Sequence, residues 1–448
     1  MQSFWCERAW LGGDTAATGV LVGVDGDRIA SVSTADAAPT GATVLRGVVV
    51  PGLANGHSHA FHRVLRGRTH RGADSFWSWR DQMYRAAAVL QPDSYHRLAR
   101  AVFAEMVSSG VSCVGEFHYL HHDTGGARYA DPNAMSDALV SAATEAGLRI
   151  TLLDTCYLSG GLTSDGHRVP LEGVQLRFGD GDVDAWRTRA DAARRLTGPA
   201  VALGAAVHSV RAVDPEAIAA VVTYAADAGM VVHAHVAEQP AEVEQCRAAH
   251  GATPVEVFAR AGALGPAFTA VHATHLTDVD IAFLGDTHTN CCICATTERD
   301  LADGIGPTTR LRDAGASLCV GTDSHAVIDL FEETRAVELD ERLATRRRGS
   351  HTVTDLLEMA TWRGHAALGW SSAGRLEVGA MADLVAVRLD SARTAGGDAD
   401  PLGAVVFAAS TGDVTDVVIG GRHVVSDGHH RLVDVERELV AAIAEVDR

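Results

Sequence analysis

The stretch Val50-Pro51-Gly52-Leu53-Ala54-Asn55-Gly56-His57-Ser58-His59 decides how the chain is read. The β-branched segments Val20 to Val24 and Val44 to Val50 lead up to it, Pro51-Gly52 breaks the run, and two histidines follow at i and i+2. Residues two apart on a strand point to the same face, so His57 and His59 can aim their imidazoles at one point. Two neutral imidazoles on a rigid element make half of a zinc or iron site. In a chain with 22 histidines, however, one His-x-His pair arises readily by chance. Two exposed strand-end histidines would explain it as well, and the rest of the chain has to decide.

At 448 residues, 47% hydrophobic and 21% charged, the chain has the composition of a globular protein with an ample core. It has room for two or three average domains or for one large α/β barrel with an appendage. A formal charge of −19 disfavours nucleic acid and anionic membrane surfaces as partners. It leaves a small anionic substrate open, because a few buried arginines can set the local field against the global one. Residues Met1 to Arg8 show no basic region followed by an apolar core, and no apolar run approaches membrane-spanning length. A cytoplasmic location is therefore expected, with the eight scattered cysteines reduced. Cys291, Cys292 and Cys294 lack the paired spacing of a zinc knuckle and read as packing within a buried strand.

Residues 1–50 read as short strands with turns at Gly12-Gly13-Asp14 and Asp25-Gly26-Asp27, too little to fold alone. From residue 51, apolar strand segments alternate with long Ala-rich helical stretches. After the first strand come Val111 to Phe117, Arg149 to Thr155, Val201 to Val207, Val231 to Val236, Thr269 to Ala273, Thr289 to Ala295 and Ser317 to Gly321. Amphipathic helices such as Pro92 to Ser109, Asn133 to Ala146, Asp184 to Leu196, Pro215 to Ala228 and Pro240 to Ala249 lie between them. Eight strands, most followed by a helix, predict an α/β fold, a parallel (β/α)8 TIM barrel over residues 51–374. Beyond Gly374 the β texture returns at Leu376 to Gly379, Ala382 to Arg388, Val405 to Ala409, Val414 to Ile419 and Val424-Val425. A Gly420-Gly421 turn precedes the last of these, and a helix from Val433 to Val446 closes the chain. Residues 1–50 and 375–448 are thus expected to combine into one small β-sandwich. Ala395 to Asp400 reads as a surface loop.

Active groups of a barrel gather at the C-terminal ends of its strands. There this sequence places His57 and His59, Glu116-Phe117-His118-Tyr119, His208 with Arg211, His233-Ala234-His235-Val236-Ala237-Glu238, His272 and Asp323-Ser324-His325. A barrel needs no imidazole there for stability. His57, His59, His235 and Asp323 offer three nitrogens and one oxygen and leave a place for a water, whose pKa a metal would lower toward neutrality. Glu238, one turn beyond His235, is placed to carry a proton to a leaving nitrogen. His272 is placed to polarise the attacked centre or stabilise developing charge, and Asp323 to hold the proton taken from water. The pattern reads as a mononuclear metal hydrolase.

Together these residues resemble the amidohydrolase superfamily in its deaminase branch, over nearly the whole chain and including the split terminal sandwich. The runs Asp74-Ser75-Phe76-Trp77-Ser78-Trp79-Arg80, Glu116 to Asp123, His235-Val236-Ala237-Glu238-Gln239, Val271-His272-Ala273-Thr274-His275 and Asp303-Gly304-Ile305 are similar to the formimidoylglutamate deiminase family. The resemblance implies hydrolysis of N-formimino-L-glutamate to N-formyl-L-glutamate and ammonia, a step of histidine degradation. It implies one divalent metal, usually zinc with ferrous iron as the alternative, and commonly a homodimer. It also implies His57, His59, His235 and Asp323 as metal ligands, Glu238 and His272 as catalytic beside Asp323, and a glutamate moiety held by His62, Arg80, Tyr119, His208 and Arg211. Arginine forks are strong carboxylate clamps, so this assignment suits a small dicarboxylate. His62 stands where many relatives have glutamine, and an imidazole can still donate to a carboxylate. Thr296 to Leu301 departs from the pattern and receives no role.

Plainer roles are expected for several neighbours. His233, one pleat deeper than His235, is expected to support rather than ligate. His121 and His122 are expected in loop packing or solvent, and His275 and His325 in bonds to neighbours. Trp77 and Trp79 are expected in the core or a subunit interface, and Arg346-Arg347-Arg348 at a solvated helix end. The nearest alternative function is aminohydrolysis of guanine or an adenosine derivative, for which the paired arginines are ill suited. A barrel scaffold without catalysis would be expected to lack ligands that are present here. A phosphate-binding barrel would need a Gly-rich loop after strands seven and eight, which is missing.

Overall fold

The computed structural model describes residues 2–70 and 76–447; Asp74, Ser75 and the side chain of Trp77 lie outside the described residues. Eight parallel strands form one sheet in chain order: Leu53–Ser58, Val111–His118, Arg149–Cys156, Val201–Val207, Val232–Val236, Phe268–His272, Asn290–Ile293 and Ser317–Val320. Six of them are buried throughout, and the fourth and eighth have one partly open position each, because helices cover the outer face. The helix Pro215–Ala228 shows how the sequence sets such boundaries. Asp214 caps it by accepting from Ala217 N, a proline occupies the first turn, and Gly229 ends it in the left-handed region.

The sheet closes on itself just beyond its first and last strands. Ser58 and Asp323 pair in a parallel bridge. The amides of Thr322 and Asp323 donate to the His57 carbonyl at 3.1 and 3.0 Å, and His59 N donates to the Asp323 carbonyl at 3.2 Å. Gly321 permits this approach, since a Cβ there would lie 2.8 Å from His57 N and 2.9 Å from His57 Cβ. The barrel seam therefore runs through the residues that carry the candidate metal ligands.

The terminal segments meet in a second, mixed eight-stranded sheet. Its order is His429–His430, Arg422–Ser426, Val414–Ile419, Leu384–Val387, Thr43–Pro51, Gln2–Ala9, Ala17–Asp25 and Arg28–Thr34. Only Gln2–Ala9 and Thr43–Pro51 run parallel. Phe4, Val20, Val22, Leu45, Leu384 and Val418 build its apolar cluster. Thr43–Pro51 leads directly into the first barrel strand and pairs with Leu384–Val387, which joins the two ends of the chain. A buried ion pair, Arg149 to Asp383 at 2.7 Å, ties the start of the third barrel strand to this sheet.

Two expectations are corrected. Val405 to Ala409 is not a strand: the helix Pro401–Phe407 runs there, because Asp400 accepts from Gly403 N and Pro401 occupies the first turn. Leu376 to Gly379 forms a turn, with Gly379 at φ +90° and Ala380 N donating to the Glu377 carbonyl. The segment at residues 395–400 is a loop carrying one 3-10 turn, Gly397–Ala399, and Arg346, Arg347 and Arg348 are exposed at a helix end. Cys291, Cys292 and Cys294 are buried with free thiols. Among the described residues, no helix is long and apolar enough to cross a membrane.

Two outcomes follow. Gly321→Ala should cost about 1–3 kcal/mol by overpacking the seam, read as a lower urea midpoint; an unchanged midpoint would show that the strands do not meet as described. Burial pulls His233 down to about 3 and His365 down to about 4, so both are neutral when folded. The unfolded chain protonates them near pH 6.5, so their contribution is complete above that value and is lost as pH falls, at about 1.4 kcal/mol per unit for each. His365→Gln should flatten the decline between pH 6.5 and 4 in urea titrations, and an unaltered slope would contradict the assignment.

Candidate metal centre

His57 and His59 lie at the end of the first barrel strand, His235 on the fifth, and Asp323 just past the eighth. Their ligand atoms lie within 4.8 Å of one another and all four residues are buried. His57 Nε2 is 3.1 Å from His235 Nε2, and His59 Nε2 is 3.4 Å from His235 Nε2. Asp323 Oδ1 is 3.3 Å from both His57 Nε2 and His59 Nε2. A tetrahedron with bonds of about 2.0–2.1 Å has edges of about 3.3–3.4 Å, so these spacings are those of four donors around one ion.

The tautomers strengthen this fit. His59 donates from Nδ1 to the Phe117 carbonyl at 2.9 Å, and His235 donates from Nδ1 to the His208 carbonyl at 2.9 Å. In the neutral rings each Nε2 is then a bare lone pair. Burial keeps the rings neutral, lowering His57, pulling His59 down to about 3 and holding His235 well below the ordinary value. Asp323 stays ionised: burial opposes the charge, but the contact with His57 and the positive field of His272 outweigh it. Facing lone pairs beside a carboxylate repel one another and call for a cation. Three nitrogens and one carboxylate suit zinc, and ferrous iron accepts the same donors.

Around this centre the backbone is held in costly shapes. Ala237, His272, Ala273, Asp323 and His325 all have φ between +39° and +70°, a region that non-glycine residues keep only where their surroundings over-determine it. Beneath the ligands, Glu116 accepts from Ser58 Oγ at 2.6 Å and from Ala60 N at 2.7 Å. His325 Nε2 lies 3.0 Å from Ser58 Oγ. His233 donates to the Ala367 carbonyl and His275 to the Asp303 carbonyl. His121 and His122 are buried rather than solvated, bonded to the Thr155 carbonyl and to Asp180.

A cavity of about 320 Å3 opens on the ligands and is lined by His59, Asp323 and Glu238 together with His62, Arg80, Tyr119, His208 and Arg211. His62 Nε2 is 2.9 Å from the Tyr119 hydroxyl, and burial keeps His62 neutral. The Arg80 guanidinium lies over the Tyr84 ring at 5.4 Å. The His208 ring lies 4.4 Å from that of Tyr157 and is kept neutral by burial and by Arg211. Arg211 donates from one terminal nitrogen to Glu238 Oε2 at 3.2 Å. Trp79 packs its buried ring 5.1 Å from that of His62. The aromatic wall of Tyr84, Tyr157 and Phe178 was not foreseen from sequence.

The Amidohydrolase family profile matches residues 48–424. The chain belongs to the amidohydrolase family. It is 36% identical to formimidoylglutamate deiminase of Pseudomonas aeruginosa over 445 residues, covering 96% of each chain. It is 29% identical to a 5-methylthioadenosine/S-adenosylhomocysteine deaminase of Natronomonas pharaonis, covering 89% of this chain and 87% of that one. The crystal structure of an amidohydrolase from Brucella melitensis superposes with a TM-score of 0.92 at 33% identity, covering both chains fully.

This amidohydrolase also brings a residue to the centre that the sequence did not reveal. Glu298, on the short helix Ala295–Asp300, is buried, accepts from Cys294 N at 3.0 Å and lies 3.4 Å from His272 Nδ1. His272 Nε2 is then turned toward Glu238 Oε1 at 3.8 Å and Asp323 Oδ2 at 3.9 Å. Burial lowers the His272 pKa, but Glu238, Glu298 and Asp323 outweigh it and lift the value to about 10; a bound dication would pull it down again. Elemental analysis should find one divalent ion per chain, and His235→Ala should lose it while the barrel remains folded by circular dichroism. Full retention of metal by that variant would rule this centre out.

Proposed function

We propose that this amidohydrolase hydrolyses a linear amidine bearing two carboxylates, N-formimino-L-glutamate, to N-formyl-L-glutamate and ammonia. The observation that carries the reading is one cavity lined by three of the four ligand residues, His59, His235 and Asp323, and by Arg80 and Arg211. Two cations at a site with a neutral Tyr119 and neutral His62 and His208 suit a dianion. The similarity to a formimidoylglutamate deiminase supports the same substrate.

His57, His59, His235 and Asp323 would hold the ion, which supplies Lewis acidity that lowers the pKa of an adjacent water toward neutrality. Asp323 takes the proton released as water attacks the formimino carbon, and Glu238 delivers a proton to the departing nitrogen. His272, held by Glu298 through Nδ1, turns its other nitrogen to the developing charge. The water oxygen becomes the formyl oxygen, and both of its hydrogens leave with the imino nitrogen as ammonia. Arg80, Arg211, Tyr119, His62 and His208 hold the carboxylates, fixing the amidine carbon over the centre.

A second reading, aminohydrolysis of guanine or an adenosine derivative, draws on the aromatic wall and on the similarity to an adenosine-type deaminase. A neutral purine would leave Arg80 and Arg211 without anionic partners from the ligand, so we rank it below the first. Ammonia release from N-formimino-L-glutamate, guanine and adenosine by the zinc-loaded protein separates the two. Rapid, chelator-sensitive release from the first compound alone is expected, and release from a purine alone would overturn the dicarboxylate reading. Arg80→Met should raise KM about tenfold to a hundredfold with kcat nearly intact, matching a lost charged hydrogen bond of about 1.5–3 kcal/mol. An unchanged KM would remove Arg80 from the substrate site.

A further inference from the structure

Arg211 is bonded to the group that has to move a proton. One terminal nitrogen donates to Glu238 Oε2 at 3.2 Å, while its Nε lies 3.8 Å from Glu242 Oε2. The two acids are held very differently. Glu242 is fully buried and accepts the Ala237 and Glu238 amides at 3.2 Å each, so it is locked to the backbone. Glu238 lines the cavity, and its other oxygen faces His272. The Arg211 backbone is also fixed: its carbonyl accepts from Ser159 Oγ at 3.1 Å and from Arg168 at 3.4 Å. The guanidinium thus lies in the field of Glu242, beyond hydrogen-bond distance at Nε, and reaches Glu238 through a terminal nitrogen, the contact that a substrate carboxylate would compete for.

A carboxylate paired with a guanidinium is a poorer proton acceptor than the same carboxylate released from it. The α-carboxylate of the proposed substrate sits on the carbon bonded to the amidine nitrogen that stays with the product, a few bonds from the departing nitrogen that Glu238 serves, so both groups face the same small part of the cavity. We propose that Arg211 is a substrate-gated positioning residue: the substrate α-carboxylate takes the terminal nitrogen of Arg211 from Glu238, and Glu238 is freed for proton transfer only when that carboxylate is in place. The inference rests on the N-formimino-L-glutamate reading and deepens it. It makes the α-carboxylate a trigger as well as a handle, so that amidines lacking it are slow even when bound. The γ-carboxylate is left to Arg80, Tyr119 and His62.

The test compares N-formimino-L-glutamate with N-formimino-4-aminobutyrate, which lacks only the α-carboxylate. The wild type and the Arg211→Gln/Glu242→Gln double variant are used zinc-loaded, the double change preserving the buried charge balance. In the wild type, loss of the α-carboxylate should lower kcat several-fold as well as raise KM. In the double variant kcat should be nearly the same for both compounds, and its kcat on N-formimino-4-aminobutyrate should exceed that of the wild type; Arg211→Lys should restore part of the discrimination. A wild-type difference confined to KM would overturn the gate and leave an ordinary clamp, needing no variant to decide it. A double variant with full metal content but kcat lowered equally on both compounds would also overturn it. Absence of ammonia from N-formimino-L-glutamate with the wild type would instead sink the proposed substrate, and the gate with it.

Discussion

The Nε2 atoms of His57 and His59 lie 3.1 and 3.4 Å from that of His235, the lone pairs of His59 and His235 face one another and repel, and a fourth, anionic donor, Asp323, joins them. The arrangement persists because two of the rings are held from behind and the third, His57, is wholly buried. The Phe117 and His208 carbonyls take the Nδ1 protons of His59 and His235, and burial denies the rings the proton that would relieve the strain. An apolar replacement would pack there without this cost. The structure keeps an unfavourable electrostatic arrangement that one cation turns into a favourable one, which is how a preorganised site is recognised.

Three of these four residues, His57, His59 and Asp323, also close the barrel. The His57 carbonyl accepts both amides that follow Gly321, and the His59 amide returns a bond to Asp323. Fold and site therefore cannot be varied separately at this seam. A side chain at Gly321 would displace a ligand, and displacement of Asp323 would open the sheet. The positive φ values at His272, Ala273, Asp323 and His325 gather at the same end of the barrel, where hydrogen bonds from neighbouring strands hold conformations that the chain alone would leave.

Much of this was legible in the sequence, for identifiable reasons. The eight barrel strands are apolar runs set between Ala-rich helices, and both signals are strong and repeated, so each expected strand lies within a residue or two of the observed one. The His57 and His59 pair stood out because period two puts both rings on one face. Val405-Val406-Phe407 misled because β-branched and aromatic residues favour strands. The Asp400-Pro401 pair before it carried the opposite, decisive message of a cap and a first-turn proline. Glu298 was beyond reach: it sits on a six-residue helix with no readable period, and only the closure of the barrel brings it to His272. For His121 and His122 the sequence left loop packing and solvent open, and the choice of packing depends on Thr155 and Asp180, which are remote in sequence.

The account stands or falls on where a metal goes. A crystal of the zinc-loaded protein, measured with anomalous scattering on both sides of the zinc edge, would locate it directly. The account predicts one peak within about 2.0–2.2 Å of His57 Nε2, His59 Nε2, His235 Nε2 and an Asp323 oxygen. A peak at the buried thiols of Cys292, Cys294 or Cys319, or a ligand set that excludes His235, would contradict it.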